Sequence, residues 1–284
     1  MSIQFAVSGS TIMSDPKLFD DLFWEDIKHI EIGEFEKEED FQLFLQVCKQ
    51  NNASFGVHSP LFRQDSKYDL IEKVVHEPAF AWKRLEEEAQ RLSGLGAEYI
   101  LVHFPYFKRE IMDDPNKLIE EGLQKLSAIQ DKYEIPIVCE PKLGLHRSPV
   151  GIEYLNQFSE ETWSKFGLKL CIDIGDYRMA MGDKTLEYIM KWEEHITVAH
   201  IHNVTYEGDK YIWTPIHPSY EDNLYKFEPI LKYLAQIRNL RFVFEHTPHT
   251  NPSKQFVREG YEWMQSTTQF GKVSGREDKK RADQ

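Results

Sequence analysis

Four short apolar runs in this sequence each end in a side chain that binds metal ions. Ile135-Pro-Ile-Val-Cys-Glu140 and Lys169-Leu-Cys-Ile-Asp173 end in carboxylates. Ile196-Thr-Val-Ala-His-Ile-His202 ends in imidazoles, and Leu240-Arg-Phe-Val-Phe-Glu245 in a third carboxylate. One acidic strand end is ordinarily a salt bridge at the start of a loop. Four in succession, delivering Glu, Asp, His and Glu, point to a single divalent-cation site with Glu140, Asp173, His202 and Glu245 as ligands. Side chains alternate along a strand, so His200 and His202 share a face and either can supply the imidazole. His202 is preferred because it lies nearer the strand end. Three carboxylates and one imidazole suit Mn, Zn, Co or Mg, and the lack of thiolate ligands argues against a structural zinc.

Further candidates cluster at neighbouring strand ends. His58 and His103 each close an apolar run and are followed by Ser59-Pro60 and Phe104-Pro105. Together with His200, Asp176 and His217 they are candidates for a second metal or for substrate hydroxyls. Glu31, Lys142 and Arg178 are candidates for substrate binding. Lys142 is suited to neutralising a substrate oxygen, and Arg178 to holding a phosphate or carboxylate. Asp176 and Arg178 are expected in the loop after Asp173, and His217 in the loop after the seventh strand.

These residues need a scaffold that carries many strand ends to one place. Strand-type runs occur at 3–7, 29–33, 54–58, 99–103, 135–140, 169–173, 196–202 and 240–245. Helical patterns fall at 18–23, 41–50, 82–95, 115–133, 152–166, 185–192, 227–237 and 254–270. In the second helix Phe41, Phe44, Leu45 and Cys48 have the spacing of one helix face. Strict alternation of strands and helices implies parallel strands with crossover helices. Eight such units predict an α/β fold, a closed (β/α)8 TIM barrel, in which residues at the C-terminal ends of the strands form the active site. The fingerprint GxGxxG is absent after the first strand, which argues against a dinucleotide-binding sheet. No Pro-, Gly- or Ser-rich linker divides the chain, so residues 1–270 are expected to be one domain and the polar residues 271–284 a disordered tail.

Composition narrows the partners. The chain carries 47 acidic against 34 basic residues, a formal charge of −13. Such a surface repels polyphosphate backbones, which makes nucleic acid an unfavoured partner. Cys48, Cys139 and Cys171 form no CxxC pair and read as small buried hydrophobes in a reducing compartment. Met1-Ser-Ile-Gln-Phe has no basic segment leading into an apolar stretch, and no run is long enough to span a membrane. A cytoplasmic protein without membrane contact is the expectation.

The sequence resembles the xylose-isomerase-like TIM barrels from Ile3 to about Phe270. The marks are Val57-His-Ser-Pro60, Leu95-Gly-Ala97, Val102-His-Phe-Pro105, Glu140, Asp173-Ile-Gly-Asp176, His200-Ile-His-Asn203 and Phe244-Glu245. That superfamily includes sugar and sugar-phosphate isomerases and epimerases, inositol-pathway enzymes and endonuclease IV. By the resemblance, Glu140, Asp173, His202 and Glu245 match the family's metal ligands. Glu140 and Glu245 match the pair that exchanges the substrate proton in ketose epimerases. His58 and His103 match positions that hold an additional zinc in endonuclease IV. Asp176 and Asn203 depart from the family's usual His and Asp, which puts a trinuclear site in doubt.

The resemblance therefore implies a divalent-metal-dependent isomerase or epimerase of a small sugar, cyclitol or sugar phosphate. A metal-polarised carbonyl acidifies the adjacent C–H, and carboxylates remove and return its proton. The alternative is an endonuclease IV-like phosphodiester hydrolase acting on abasic DNA. A dehydratase or lyase of the same fold, or a ligand-binding barrel without turnover, uses much the same parts. Homodimers are common among such barrels, so self-association is a further expectation.

Overall fold

The computed structural model describes residues 3–24, 26–208, 210–220 and 227–281, with the backbone alone at residues 220 and 269–281. Its strands are β1 (Gln4–Ser8), β2 (His29–Ile32), β3 (Ser54–His58), β4 (Ile100–His103), β5 (Ile137–Glu140), β6 (Lys169–Asp173), β7 (Ile196–Ile201), β8 (Asn203–Glu207), β9 (Lys210–Thr214) and β10 (Arg241–Phe244). Eight of them close into a parallel barrel in the order β1-β10-β7-β6-β5-β4-β3-β2, and β1 also pairs with β2. The fold is the single (β/α)8 barrel that the alternating pattern predicts.

The principal helices are α1 (Glu38–Gln50), α2 (Pro78–Ser93), α3 (Pro115–Tyr133), α4 (Val150–Gln157), α5 (Glu160–Ser164), α6 (Ile174–Met181), α7 (Thr185–Lys191), α8 (Glu228–Leu234) and α9 (Lys254–Arg281). Proline opens α2 and α3, where its missing N–H costs nothing and its φ is already helical. The expected helix at 18–23 is a 3-10 helix, Pro16–Leu22, capped by the Asp15 carboxylate. The expected helix at 152–166 is two helices, because Ser159 caps a new start by accepting from Thr162 N–H. The expected boundary at residue 270 falls within α9, and residues 282–284 lie outside the described residues. None of the described helices is long and apolar enough to cross a membrane.

Two elements near the barrel mouth go beyond the strand–helix alternation. The segment after Asp173 is α6 rather than a loop, started by the Asp173 carboxylate accepting from Asp176 N–H at 2.9 Å. After β7 the chain forms the antiparallel hairpin β8–β9, turned at Gly208 with φ +61°. A positive φ is low in cost for glycine and suits a tight hairpin turn.

The barrel interior is a packed cluster of Ala6, Tyr99, Leu101, Val138, Cys171, Val198 and Val243, distinct from the larger core between strands and helices. Val138, Cys171, Val198 and Val243 in this cluster each stand two residues before Glu140, Asp173, His200 and Glu245. That period of two is what sends Glu140, Asp173, His200 and Glu245 into the mouth above. Gly56 makes room for the largest member: a Cβ there would lie 2.4 Å from the Tyr99 ring. Replacing the fully buried Leu101 by Ala is expected to cost about 2–5 kcal/mol in urea-induced unfolding. A loss below about 1 kcal/mol would contradict a close-packed interior.

Candidate metal centre

Glu140 ends β5, Asp173 ends β6, His200 stands one residue before the end of β7, and Glu245 follows β10. Each brings one ligand atom to within 4.8 Å of the others. All four are buried, Glu245 the least at 4% exposed. His200 Nδ1 is 3.0 Å from Glu140 Oε1 and 2.8 Å from Glu245 Oε2. Its other ring nitrogen, Nε2, is 2.8 Å from Glu31 Oε1, and Glu31 Oε2 accepts from the Tyr99 hydroxyl at 2.7 Å. Glu31 thus fixes the ring so that Nδ1 faces the carboxylates, an arrangement common behind metal-binding histidines.

The structure places His200, not the preferred His202, in this group of four. His202 lies past the last residue of β7, where the chain turns into β8. Its Nε2 is 2.8 Å from Asp173 Oδ1, and its ring stacks on Trp213 with centroids 4.8 Å apart. Its Cε1 would be 2.3 Å from a Cβ on Gly175, so the ring packs against bare backbone. His202 therefore orients Asp173 from behind.

A second group shares Glu140. His58, His103 and Glu140 also bring ligand atoms within 4.8 Å of one another. His103 Nε2 is 3.1 Å and His58 Nε2 3.6 Å from Glu140 Oε2. The two rings meet edge to face, and Tyr68 stacks on His103. Glu31, His58 and His200 converge in the same way, as do Glu140, Cys171 and His200.

Lys142 and Asp176 adjoin the first group. The Lys142 ammonium is 2.7 Å from Asp173 Oδ2 and 2.7 Å from Asp176 Oδ2. Arg178 and His217 are not brought to it. Arg178, on α6, donates to the Gly182 carbonyl and pairs with Asp183. His217 contacts Ser219 and Glu259 and stacks on Phe256.

The electrostatics follow from burying Glu31, Glu140, Asp173, Asp176 and Glu245 together. Burial pushes the Glu140 carboxyl up, but Lys142 and His200 outweigh it and hold it well below the usual range. Asp173 is lowered too, by Lys142 and His202 against the effect of burial. Asp176 goes the other way, pushed up to about 7 by burial and by the Asp173 charge. Burial acts against a charged His200, yet the Glu245, Glu31 and Glu140 carboxylates around it hold its proton well above the ordinary range. Burial keeps His103 neutral.

This donor set fits a divalent cation. Glu140 Oε2 and Glu245 Oε2 are buried without an aligned hydrogen-bond partner among the described residues. Such oxygens are costly unless they meet a cation. Three residues here escaped sequence reasoning. Tyr99 has the parity of Leu101 and His103 on β4, a signal that was present. Trp213 lies on a hairpin whose alternation, Lys210-Tyr-Ile-Trp-Thr214, was readable. Cys171 has the parity of Asp173, but a cysteine in an apolar run carries no distinguishing mark.

A family model described as xylose isomerase-like TIM barrel matches residues 20–267. The chain belongs to that family. Among solved structures it is similar to an L-ribulose 3-epimerase at 10% identity and TM-score 0.67, over 97% of each chain. It is also similar to the 3-keto-D-glucoside 4-epimerase YcjR from E. coli, at 10% identity and TM-score 0.64, over 93% of this chain and 100% of that one. A xylose isomerase-like TIM barrel protein from Mycobacterium smegmatis, in complex with magnesium, matches at 13% identity and TM-score 0.58 over 90% and 87%. No curated protein matches. At these identities the structural likeness shows the fold.

Removing the Glu31 charge tests the orientation of His200. In metal-free Glu31→Gln, nitrogen-detected NMR should find the His200 imidazolium losing its proton at lower pH than in the unsubstituted protein. An unchanged titration would show that Glu31 does not hold this ring.

Proposed function

We propose that this chain is a divalent-metal-dependent isomerase or epimerase of a small sugar, cyclitol or sugar phosphate. The observation that carries the reading is the convergence of Glu140, Asp173, His200 and Glu245 in one buried group beside an open cavity. That cavity, about 150 Å³, is lined by Glu245, His58, Trp213, Ser10, Ile32 and Lys67 among others. Its mixed lining suits a polyol with one apolar face. Family membership and the named epimerase neighbours support the same class.

Glu140, Asp173, His200 and Glu245 would hold the ion, which when bound polarises a substrate carbonyl and its neighbouring hydroxyl. Glu245 and Glu140 come from β10 and β5, on either side of β7 and β6 in the barrel. A substrate seated over His200 would have a carboxylate on each side. One carboxylate takes the proton from the carbon beside the carbonyl; the C–H electron pair becomes a C=C bond to the carbonyl carbon, and the carbonyl π pair moves onto its oxygen. Return of a proton to the other face of that carbon inverts it; return to the former carbonyl carbon, with the hydroxyl proton passing from the neighbouring oxygen to the former carbonyl oxygen, isomerises the sugar. Both glutamates therefore serve as acid and base in turn. His202 would keep Asp173 in place, and Trp213, which lines the cavity, covers Lys142 and His202.

Hydrolysis of a phosphodiester is the second reading, favoured by the His58–His103–Glu140 group, which has the composition of a further metal site. The formal charge of −13 weighs against a nucleic-acid substrate.

Incubation with a panel of ketoses in heavy water separates these readings. The unsubstituted protein should place deuterium on the carbon beside the carbonyl of its substrate, and Glu245→Gln should lose this exchange by a factor of about 10²–10⁴. Exchange undiminished in Glu245→Gln, or no exchange with any ketose alongside turnover of a phosphodiester, would overturn the proposal.

Metal affinity should also depend on pH. The carboxylates hold a proton on His200, and an ion at Nδ1 must displace it. Affinity is therefore expected to fall as pH drops, with proton release on binding measured by calorimetry in buffers of different ionisation heat. Binding without proton release would remove His200 from the ligand set.

A further inference from the structure

Lys142 follows Glu140 by two residues and is itself buried, with 6% of its side chain exposed. Its ammonium stands 2.7 Å from Asp173 Oδ2, 2.7 Å from Asp176 Oδ2 and 3.3 Å from Glu140 Oε1. The face of Trp213 covers it, with the ring centre 4.7 Å away. Carboxylates from β5, β6 and α6 thus converge on one point, and the cation at that point is a side chain. Oxygen donors from several segments around a single centre are what a hard divalent ion requires.

Asp176 gives the position its character. It is 1% exposed, and neither carboxylate oxygen has an aligned hydrogen-bond partner among the described residues. Its close contact is the Lys142 ammonium, charge against charge. A buried carboxylate in that state needs a cation beside it, whatever supplies the charge.

We infer that Lys142 is a built-in cation occupying a carboxylate-lined position between Asp173 and Asp176, and that its presence keeps a divalent ion out of that position. The Glu140–Asp173–His200–Glu245 group lies next to it and remains available. The inference rests on the reading that this mouth binds divalent ions at all. It makes Lys142 a positioning residue that sets how many ions the site takes, through the carboxylates it holds. An arginine would keep the charge, whereas an alanine would leave both the charge and the space to an incoming ion.

The test is a count of bound ions. Full-length protein, Lys142→Ala, Lys142→Arg and the double variant Lys142→Ala/Asp176→Ala are saturated with Mn²⁺, freed of excess and measured by elemental mass spectrometry. Lys142→Ala should bind one ion more per chain than the unsubstituted protein. Lys142→Arg should match the unsubstituted protein, and the double variant should lose the extra ion. Equal counts in Lys142→Ala and the unsubstituted protein would overturn the inference. No ion in the unsubstituted protein with one in Lys142→Ala would instead uphold it and count against the metal reading of the native chain.

A second measurement needs no variant. Lysines are reductively methylated in the metal-free and Mn²⁺-saturated protein and located by mass spectrometry. Lys142 should stay unmodified in both states while the exposed Lys83 and Lys117 react. Methylation of Lys142 on metal loading would show that the ion displaces it, which contradicts the inference.

Discussion

Like charge buried at close quarters is the constraint on which this barrel mouth depends. Glu31, Glu140, Asp173, Asp176 and Glu245 are all buried within one group of strand ends and the helix that follows β6. Two unit charges 4 Å apart repel by about 4 kcal/mol at an effective dielectric constant near 20, so such a set requires compensation. The features of the site read as answers to that requirement. Lys142 neutralises the side formed by Asp173 and Asp176, and His202 donates to the remaining Asp173 oxygen. His200 bridges Glu31 to Glu140 and Glu245. Glu140 Oε2 and Glu245 Oε2 remain without aligned hydrogen bonds among the described residues, and this is where the proposed divalent ion would sit.

The barrel makes the arrangement mechanically simple. Parallel strands deliver their last side chains to one rim, and the period of two along each strand separates packing residues from functional ones. Val138 packs below Glu140, Cys171 below Asp173, Val198 below His200, and Val243 below Glu245. Tyr99 crosses this layer, filling the space over Gly56 and reaching Glu31. Stability and function therefore meet in the hydrogen bonds from Tyr99 through Glu31 to His200.

Much of this was legible in the sequence, because apolar runs ending in Glu, Asp and His are local signals. The eight strands, the closed barrel and the carboxylates Glu140, Asp173 and Glu245 followed from those runs. The choice between His200 and His202 did not, since both have the same parity and only the turn into β8 decides which reaches the centre. α6 spans only two turns, and its main sequence signal, the Asp173 cap, is equally that of a metal ligand at a strand end. The part Lys142 plays beside Asp176 was equally invisible, since it depends on three segments meeting in space. His217 and Arg178 carry the right chemistry, yet their partners on α9 and after α6 draw them away from the mouth.

The measurement that bears most directly on this account is a crystal structure of the Mn²⁺-loaded protein with diffraction recorded at the manganese absorption edge. An anomalous peak bounded by Glu140, Asp173, His200 and Glu245 is expected, with His202 still hydrogen-bonded to Asp173 behind it. A peak coordinated by His202 in place of His200, or no peak in this group at saturating metal, would contradict it.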